Sequence, residues 1–235
     1  EEPDKIIEVL EDFFFAQKDL EKKKILITAG PTYEKIEPVR FIGNYSSGKM
    51  GFALAEACAE RGAEVTLVAG PVSLKTHHPA IKRIDVESAG EMYQAAMTAF
   101  PSSDAAILCA AVADYRPENA SEQKIKRETE REMTLHLVPN PDIAASLGAI
   151  KREGQVMVGF ALETNDEATH AEGKLKRKNL DFIVLNSLRD QGAGFRCDTN
   201  KITIIDNAGG VTSYPLKTKR EVACDIVNKL VTLLK

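Results

Sequence analysis

Apolar and polar positions along the chain fall into short blocks whose period keeps changing. Ile25 to Ala29 is a short apolar run ending at Gly30-Pro31, which predicts a strand. Met50 to Arg61 is Ala-rich with helical character, and Gly62 closes it, as glycine does just past a helix end. Glu64 to Ala69 predicts a second strand, again ending in Gly-Pro. Ala89 to Phe100 reads as a helix and Ala105 to Cys109 as a third strand. A helix over Ile143 to Arg152 precedes a strand at Val156 to Phe160, and a helix over Glu167 to Lys178 precedes one at Phe182 to Leu185.

This strand–helix alternation predicts an α/β fold, Rossmann-like, with a mainly parallel sheet and helices on both faces. The tail breaks the rhythm. Lys201 to Asp206, Asn207-Ala208-Gly209-Gly210 and Val211 to Tyr214 read as a hairpin, so a C-terminal antiparallel extension is expected. A last amphipathic helix runs from about Lys219 to Leu234. At the other end, Ile6, Ile7, Val9, Leu10, Phe13 and Phe14 sit among acidic residues. They suit a helix packed on the domain, or a linker helix (1–23) from a larger fused chain, leaving 24–235 as the main domain.

Composition narrows the field. The chain has 235 residues, 43% hydrophobic and 28% charged, with a net charge of −4. That balance disfavours general electrostatic binding to nucleic acid while leaving room for a local basic pocket. No apolar run of about 18 residues predicts a membrane span, and the acidic start argues against a signal peptide. Cys58, Cys109, Cys197 and Cys224 are far apart, with no CxxC pair to suggest zinc or a redox couple. Reduced thiols in a cytoplasm are expected.

In sheets of this kind ligands bind beyond the carboxyl ends of the strands, so the segments there carry the candidate chemistry. Gly43-Asn44-Tyr45-Ser46-Ser47-Gly48-Lys49-Met50-Gly51 opens the Ala-rich helix. Its small residues and outward N–H groups suit phosphate or carboxylate; the plainer role is that Ser46 or Ser47 caps the helix. It is neither a Walker A loop nor the dinucleotide fingerprint. Ala110-Ala111-Val112-Ala113-Asp114 makes room for a flat group or a sugar, with Asp114 facing ribose hydroxyls or a metal-bound phosphate, or else starting a turn before Pro117. Lys124-Ile125-Lys126-Arg127 is a solvated face or a loop that closes over a triphosphate. Val138-Pro139-Asn140-Pro141-Asp142 leads to a helix that Asp142 would cap. Phe160 is a core residue or a stacking surface for a base. Lys174 and Lys178, four apart, share a helix face that meets solvent or phosphates. Gly192-Ala193-Gly194-Phe195 suits a lid or a subunit contact. The histidines, His77, His78, His136 and His170, have no metal-ligand spacing, and no nucleophilic triad is apparent.

Together, Ile27-Thr28-Ala29-Gly30-Pro31-Thr32, Asn44 to Gly51, Gly70-Pro71-Val72-Ser73-Leu74, Ala110 to Tyr115, Lys124-Ile125-Lys126, Asn140-Pro141-Asp142, Gly159-Phe160-Ala161 and Asp198-Thr199-Asn200-Lys201 resemble bacterial phosphopantothenoylcysteine synthetase. In that family the domain is commonly the C-terminal half of a bifunctional coenzyme A biosynthesis protein whose N-terminal half is a flavin-dependent decarboxylase. The resemblance runs from about Lys24 to the end and implies a fused decarboxylase partner, with no flavin in this fragment. It implies a ligase that joins 4′-phosphopantothenate to L-cysteine through an acyl-cytidylate, consuming CTP with Mg2+ and releasing CMP and pyrophosphate. CTP follows from the bacterial members, since some relatives use ATP.

By motif match the resemblance places Asn44 at the reacting acyl group and Lys124 on the loop that closes on the triphosphate. It puts Ala110, Ala111, Asp114, Val138, Pro139, Asn140, Pro141, Phe160, Lys174 and Lys178 around the nucleotide. Asn44, Ser46, Ser47 and Gly48 fall around phosphopantothenate. Pro139 stands where some relatives carry lysine and removes one cationic contact. A cytoplasmic homodimer with sites near its interface is implied, with no membrane or nucleic-acid partner. Two other classes compete. A Rossmann oxidoreductase needs a glycine fingerprint after the first strand and an acidic residue after the second, where Gly-Pro stands in both places. A nucleotide-sensing or scaffold module explains the anion loop but not Lys124 beside Asn44 and Asp114.

Overall fold

The computed structural model describes residues 18–126, 132–163, 173–187 and 197–234. The chain runs β1 (Lys24–Ala29), β2 (Glu34–Lys35), β3 (Phe41–Ile42), α1 (Lys49–Glu60), β4 (Glu64–Ala69), β5 (Ile81–Asp85), α2 (Ala89–Ala99), β6 (Ala105–Leu108), β7 (Tyr115–Pro117), β8 (Leu137–Pro139) and α3 (Ile143–Ile150). It continues through β9 (Val156–Glu163), a helical stretch at 173–177, β10 (Phe182–Ser187), β11 (Thr199–Asn200), β12 (Ile202–Asp206), β13 (Val211–Ser213), β14 (Lys217–Thr218) and α4 (Lys219–Leu233).

Among the described residues one eight-stranded sheet has the order β13-β12-β10-β9-β6-β1-β4-β5. The strands from β5 to β10 are parallel, and β12 and β13 are antiparallel additions. The central strands β1, β6 and β9 are almost wholly apolar because both sheet faces are covered there, whereas the edge strands β5 and β13 carry polar residues. Ile25, Ile27 and Ala29 of β1 enter the core under α1 and α4, whereas Leu26 enters the core under α2 and α3. Each fully buried aliphatic side chain contributes about 1.5–3 kcal/mol.

The winding reverses between β1 and β6. One half runs outward through β4 and β5, the other through β9 and β10, which leaves a crevice at the carboxyl ends of the central strands. The two Gly-Pro turns after β1 and β4 lie against one another there. Gly30 holds φ +80°, and a Cβ on Gly70 would strike the Pro31 carbonyl oxygen.

The helix ends differ in a way that matters for the site. α2 and α4 are closed by capping boxes, Ser88 with Glu91 and Thr218 with Glu221, and α3 by Asp142. α1 begins at Gly48, which is left-handed at φ 77° and supplies no side-chain cap. Neither Ser46 nor Ser47 has the capping role that their position allows.

Several elements have no periodic signature in the sequence. Strand β5 and the ladders β2–β3, β7–β8 and β11–β14 are mostly two or three residues long, too short to show a period. Residues 1–17 of the linker span, the 167–172 part of the Glu167–Lys178 helix and the Gly192–Phe195 loop lie outside the described residues. Leu20, within the 1–23 span, is fully buried, and its N–H donates to the Arg61 carbonyl at 3.1 Å.

Candidate functional site

The crevice floor is made where the loops after β1 and β6 are stitched together. The Ala111 N–H donates to the Gly30 carbonyl at 2.8 Å, and Thr32 N–H donates to the Ala111 carbonyl at 3.3 Å. The buried hydroxyls of Thr28 and Thr32 accept from the N–H groups of Ala110 and Ala113 at 3.3 and 3.0 Å. Alanines in this strip leave the main chain open to a ligand. Two cavities, of about 420 and about 530 Å³, open above it and share Ala110, Val112, Asp114 and Phe160 as a common wall.

The smaller cavity gathers Asn44, Ser46, Ser47 and Gly48 with the first turn of α1. The bare helix start turns N–H groups and the positive dipole end toward it. Gly51 lets α1 sit low, since a Cβ there would come within 2.5 Å of the Ala29 Cβ. The Asn44 Nδ2 donates to the Ala111 carbonyl at 2.9 Å, while its Oδ1 is buried without a hydrogen-bond partner. Ala111 offers only an acceptor, so the amide orientation is fixed, and a buried acceptor is what Asn44 leaves for a ligand to satisfy.

Asn200 of the Asp198–Lys201 motif and Cys109 at the end of the third strand also line this cavity, together with Lys219 and Asn186, which were not singled out from the sequence. Lys219 and Asn186 lie far along the chain from the motif segments around α1 and belong to no quoted motif. Asn200 is 2% exposed and donates to the Asn186 Oδ1 at 3.3 Å. Burial pushes the Cys109 thiol up to about 12, so it is a neutral wall group rather than a nucleophile. Burial pulls the Lys219 ammonium below its ordinary value. Lys49 pairs with Asp198 at 2.6 Å.

The larger cavity gathers Ala110, Asp114, Pro139, Asn140, Pro141, Phe160, Lys174 and Lys178. Asn140 binds its loop to the floor strip. Its Nδ2 donates to the Ala113 carbonyl and its N–H to the Asp114 carbonyl, both at 2.8 Å. Arg116 holds the Pro139 carbonyl at 2.7 Å. Asp142 has the predicted cap role, accepting from the Ala145 N–H at 3.0 Å, and pairs with Lys178 at 2.9 Å. Burial would raise its carboxyl, but the Ala145 N–H and Lys178 outweigh burial and hold it below the usual carboxylate range. Phe160 is half-buried against the core with an edge in both cavities.

The structure thus brings Asn44, Ser46, Ser47, Gly48, Ala110, Ala111 and Asp114 around one cavity. Ala110, Asp114, Pro139, Asn140, Pro141, Phe160, Lys174 and Lys178 meet around its neighbour. Val138 and Lys124 line neither. Val138 is paired with Arg116 in the β7–β8 ladder. Lys124 is exposed beside Ile125, whose backbone is held from both sides. Buried Glu37 accepts from the Ile125 N–H at 3.1 Å, and Arg40 donates to its carbonyl at 3.0 Å. Among the described residues no three His, Cys, Asp or Glu side chains cluster as a metal site. No described helix is long and apolar enough to cross a membrane.

A doubly wound sheet with two cavities at its switch point places the chain among α/β domains whose ligand crevice lies at the carboxyl ends of the strands. Residues 20–234 match the family described as DNA/pantothenate metabolism flavoprotein C-terminal domain, and the chain belongs to that family. A protein of an unknown prokaryotic organism, called cysteine/cysteine sulfinic acid decarboxylase, is 55% identical over 237 residues, which cover 99% of this chain and 66% of that protein. The coenzyme A biosynthesis bifunctional protein CoaBC of Vibrio parahaemolyticus serotype O3:K6 is 48% identical over 234 residues, covering 99% of this chain and 58% of that protein. The chain therefore spans less than two thirds of either relative. Among solved structures, the C-terminal domain of a CoaBC superposes with a TM-score of 0.79 at 39% identity, covering 93% of this chain and 98% of that one.

Proposed function

We propose that this domain is the phosphopantothenate–cysteine ligase of coenzyme A biosynthesis, CTP-dependent and working through an acyl-cytidylate. The observation that carries the reading is the pair of cavities with a common wall at Ala110, Val112, Asp114 and Phe160. Each is suited to an anionic reactant, and their shared edge is where two such reactants would meet. The likeness to the CoaBC relative and to the CoaBC C-terminal domain structure supports the same assignment.

In this reading CTP lies in the larger cavity, with Lys174 and Lys178 toward its phosphates, Phe160 and the alanine strip toward its base and sugar, and Asp114 toward the Mg2+ that the triphosphate brings. Phosphopantothenate lies in the smaller cavity on the α1 N-terminus. Its carboxylate attacks the α-phosphorus, the bond to the β-phosphate bridge breaks, and pyrophosphate departs. The cysteine amine then attacks the acyl carbon, loses a proton, and CMP leaves with the former acyl oxygen. The domain's work is to hold two anions in contact distance and offset their charge. Asn44 sits at the acyl end of the smaller cavity. Lys124 reaches the triphosphate when its loop shifts from the β2–β3 hairpin.

The reading extends to a cytoplasmic homodimer fused to a decarboxylase. Val39, Phe41, Tyr45, Tyr115 and Leu137 are exposed on or beside the small ladders at the crevice edge, apolar groups that a second copy would cover. Sedimentation at micromolar concentration should give a dimer, and a monomer would remove that part.

The decisive measurement is pyrophosphate release with CTP and ATP in parallel, with and without phosphopantothenate and cysteine. Release that requires CTP and phosphopantothenate, with amide formation on adding cysteine, is expected. The name of the 55% identical relative raises a second reading, so carbon dioxide from cysteine or cysteine sulfinic acid is assayed alongside. Carbon dioxide without pyrophosphate would overturn the ligase assignment.

A further inference from the structure

Lys219 stands in an unfavourable place for folding. It is 8% exposed, and burying an ammonium is costly unless its charge is offset. It is also the first residue of α4, where the helix dipole repels a cation. Its Nζ is held by the Cys197 and Thr199 carbonyls, the latter at 3.4 Å, and it lines the smaller cavity. The two carbonyls and the nearby Asp198 offset part of these costs, and an anion bound in the cavity would offset more.

The rest of the lining sets the charge of the cavity. The α1 start faces the same cavity with no side-chain cap and no acidic residue in its first turn. Asp198 pairs with Lys49 and also favours the charged form of Lys219, but it does not line the cavity. Asp114 is the one carboxylate among the described residues lining this cavity, and it belongs to the wall shared with the nucleotide side. Asn44 also lines it, and its unpartnered buried Oδ1 is an acceptor that suits a donor on the substrate rather than the phosphate. The cavity is therefore polarised. Its positive end is formed by the α1 start and Lys219, the Lys49 charge being offset by Asp198, and its acidic end lies at the junction.

Resting on the ligase reading, we propose that Lys219 binds the dianionic phosphate of the acyl substrate and makes the site select a phosphorylated acid over its unphosphorylated counterpart. A phosphomonoester offers the two charges and several acceptor oxygens that a lysine and a helix start together satisfy. The carboxylate at the other end of the substrate then falls at the junction with the nucleotide.

The test compares wild type, Lys219→Met and Lys219→Arg by pyrophosphate release with CTP, using 4′-phosphopantothenate and pantothenate as alternative acids. Lys219→Met should raise KM for phosphopantothenate about 10- to 100-fold, the size expected for one charge-assisted contact. It should leave KM for pantothenate and for CTP near the wild-type values, and Lys219→Arg should restore most of the loss. Without ligand, Lys219→Met should melt no lower than wild type, and inorganic phosphate should raise its Tm less. Equal shifts in KM for both acids, or an unchanged KM for phosphopantothenate, would overturn the assignment. If wild type itself releases no pyrophosphate, the ligase reading fails, and the phosphate-induced Tm difference still decides for or against Lys219 as an anion ligand.

Discussion

The two cavities share a wall but hold their ligand-facing groups in different ways. The smaller one is built from main chain and buried side chains: the left-handed Gly48, the α1 start, Asn44 tied to Ala111, Asn200 and Lys219. The larger one is built from a loop stitched by Asn140 and from lysines on long side chains, one of them already paired with Asp142. A reactant in the first meets preorganised donors and acceptors. A reactant in the second recruits adjustable cations. On the proposed ligase reading, fixed geometry suits the acid whose carboxylate must be aimed, and adjustable charge suits a triphosphate whose β- and γ-phosphates leave.

If that contrast is right, the largest effect belongs to Asn44. In Asn44→Asp an oxygen replaces the donor 2.9 Å from the Ala111 carbonyl, and a charge enters a buried spot. Amide formation should fall about 100-fold or more, as for loss of a preorganised group at a reacting centre, while pyrophosphate release persists. Chromatography of the products separates the two steps, and wild-type amide yield would refute the assignment.

Next is Lys124→Gln, which removes a cation the reading brings to the triphosphate. The pyrophosphate burst should slow about 10- to 100-fold with the amide step unaffected; an unchanged burst would take Lys124 out of the chemistry.

Gly51→Ala tests the rigid cavity directly. Its methyl group would come within 2.5 Å of the Ala29 Cβ, lifting the start of α1. Stability should drop by about 1–3 kcal/mol, and KM for phosphopantothenate should rise well before KM for CTP. Equal changes in the two would erase the distinction between the cavities.

Lys178→Ala is the mildest and should run the other way, raising KM for CTP a few-fold only, because a partly exposed lysine contributes modestly. It also changes the response to acid. The Asp142 carboxyl lies below its ordinary value in the folded state. Its stabilisation is therefore present above the unfolded carboxylate pKa and is lost as pH falls through the lower folded value. Without Lys178 that loss should be smaller, so urea midpoints of wild type and variant should converge below about pH 4. Parallel profiles would remove Lys178 as the cause.

Much of the frame was legible from local signals. The apolar runs of β1, β4 and β6 and the alanine-rich α1 give their type from composition alone, and Asn207-Ala208-Gly209-Gly210 marks the turn between β12 and β13. The motif segments led to Asn44, Asp114, Phe160 and Lys178, which the fold gathers around adjoining cavities. The β2–β3 hairpin that holds Ile125 was not legible, since two-residue strands have no period and the stacking at 3.9 Å that closes it joins Tyr33, just before β2, to Phe41 of β3. Lys219 was hidden because its sequence neighbours announce only a helix start.

By itself the sequence determined which segments become strand or helix and which loops are small and polar enough to meet an anion, because periodicity and turn chemistry act over a few residues. Tertiary structure alone decided that Gly48 rather than a serine begins α1, that Asn44 turns an acceptor inward, that Lys219 comes round from the last helix to complete the smaller cavity, and that Lys124 is held against a hairpin outside both. Those outcomes depend on contacts between residues tens of positions apart, and such contacts exist only once the sheet has brought its strand ends together.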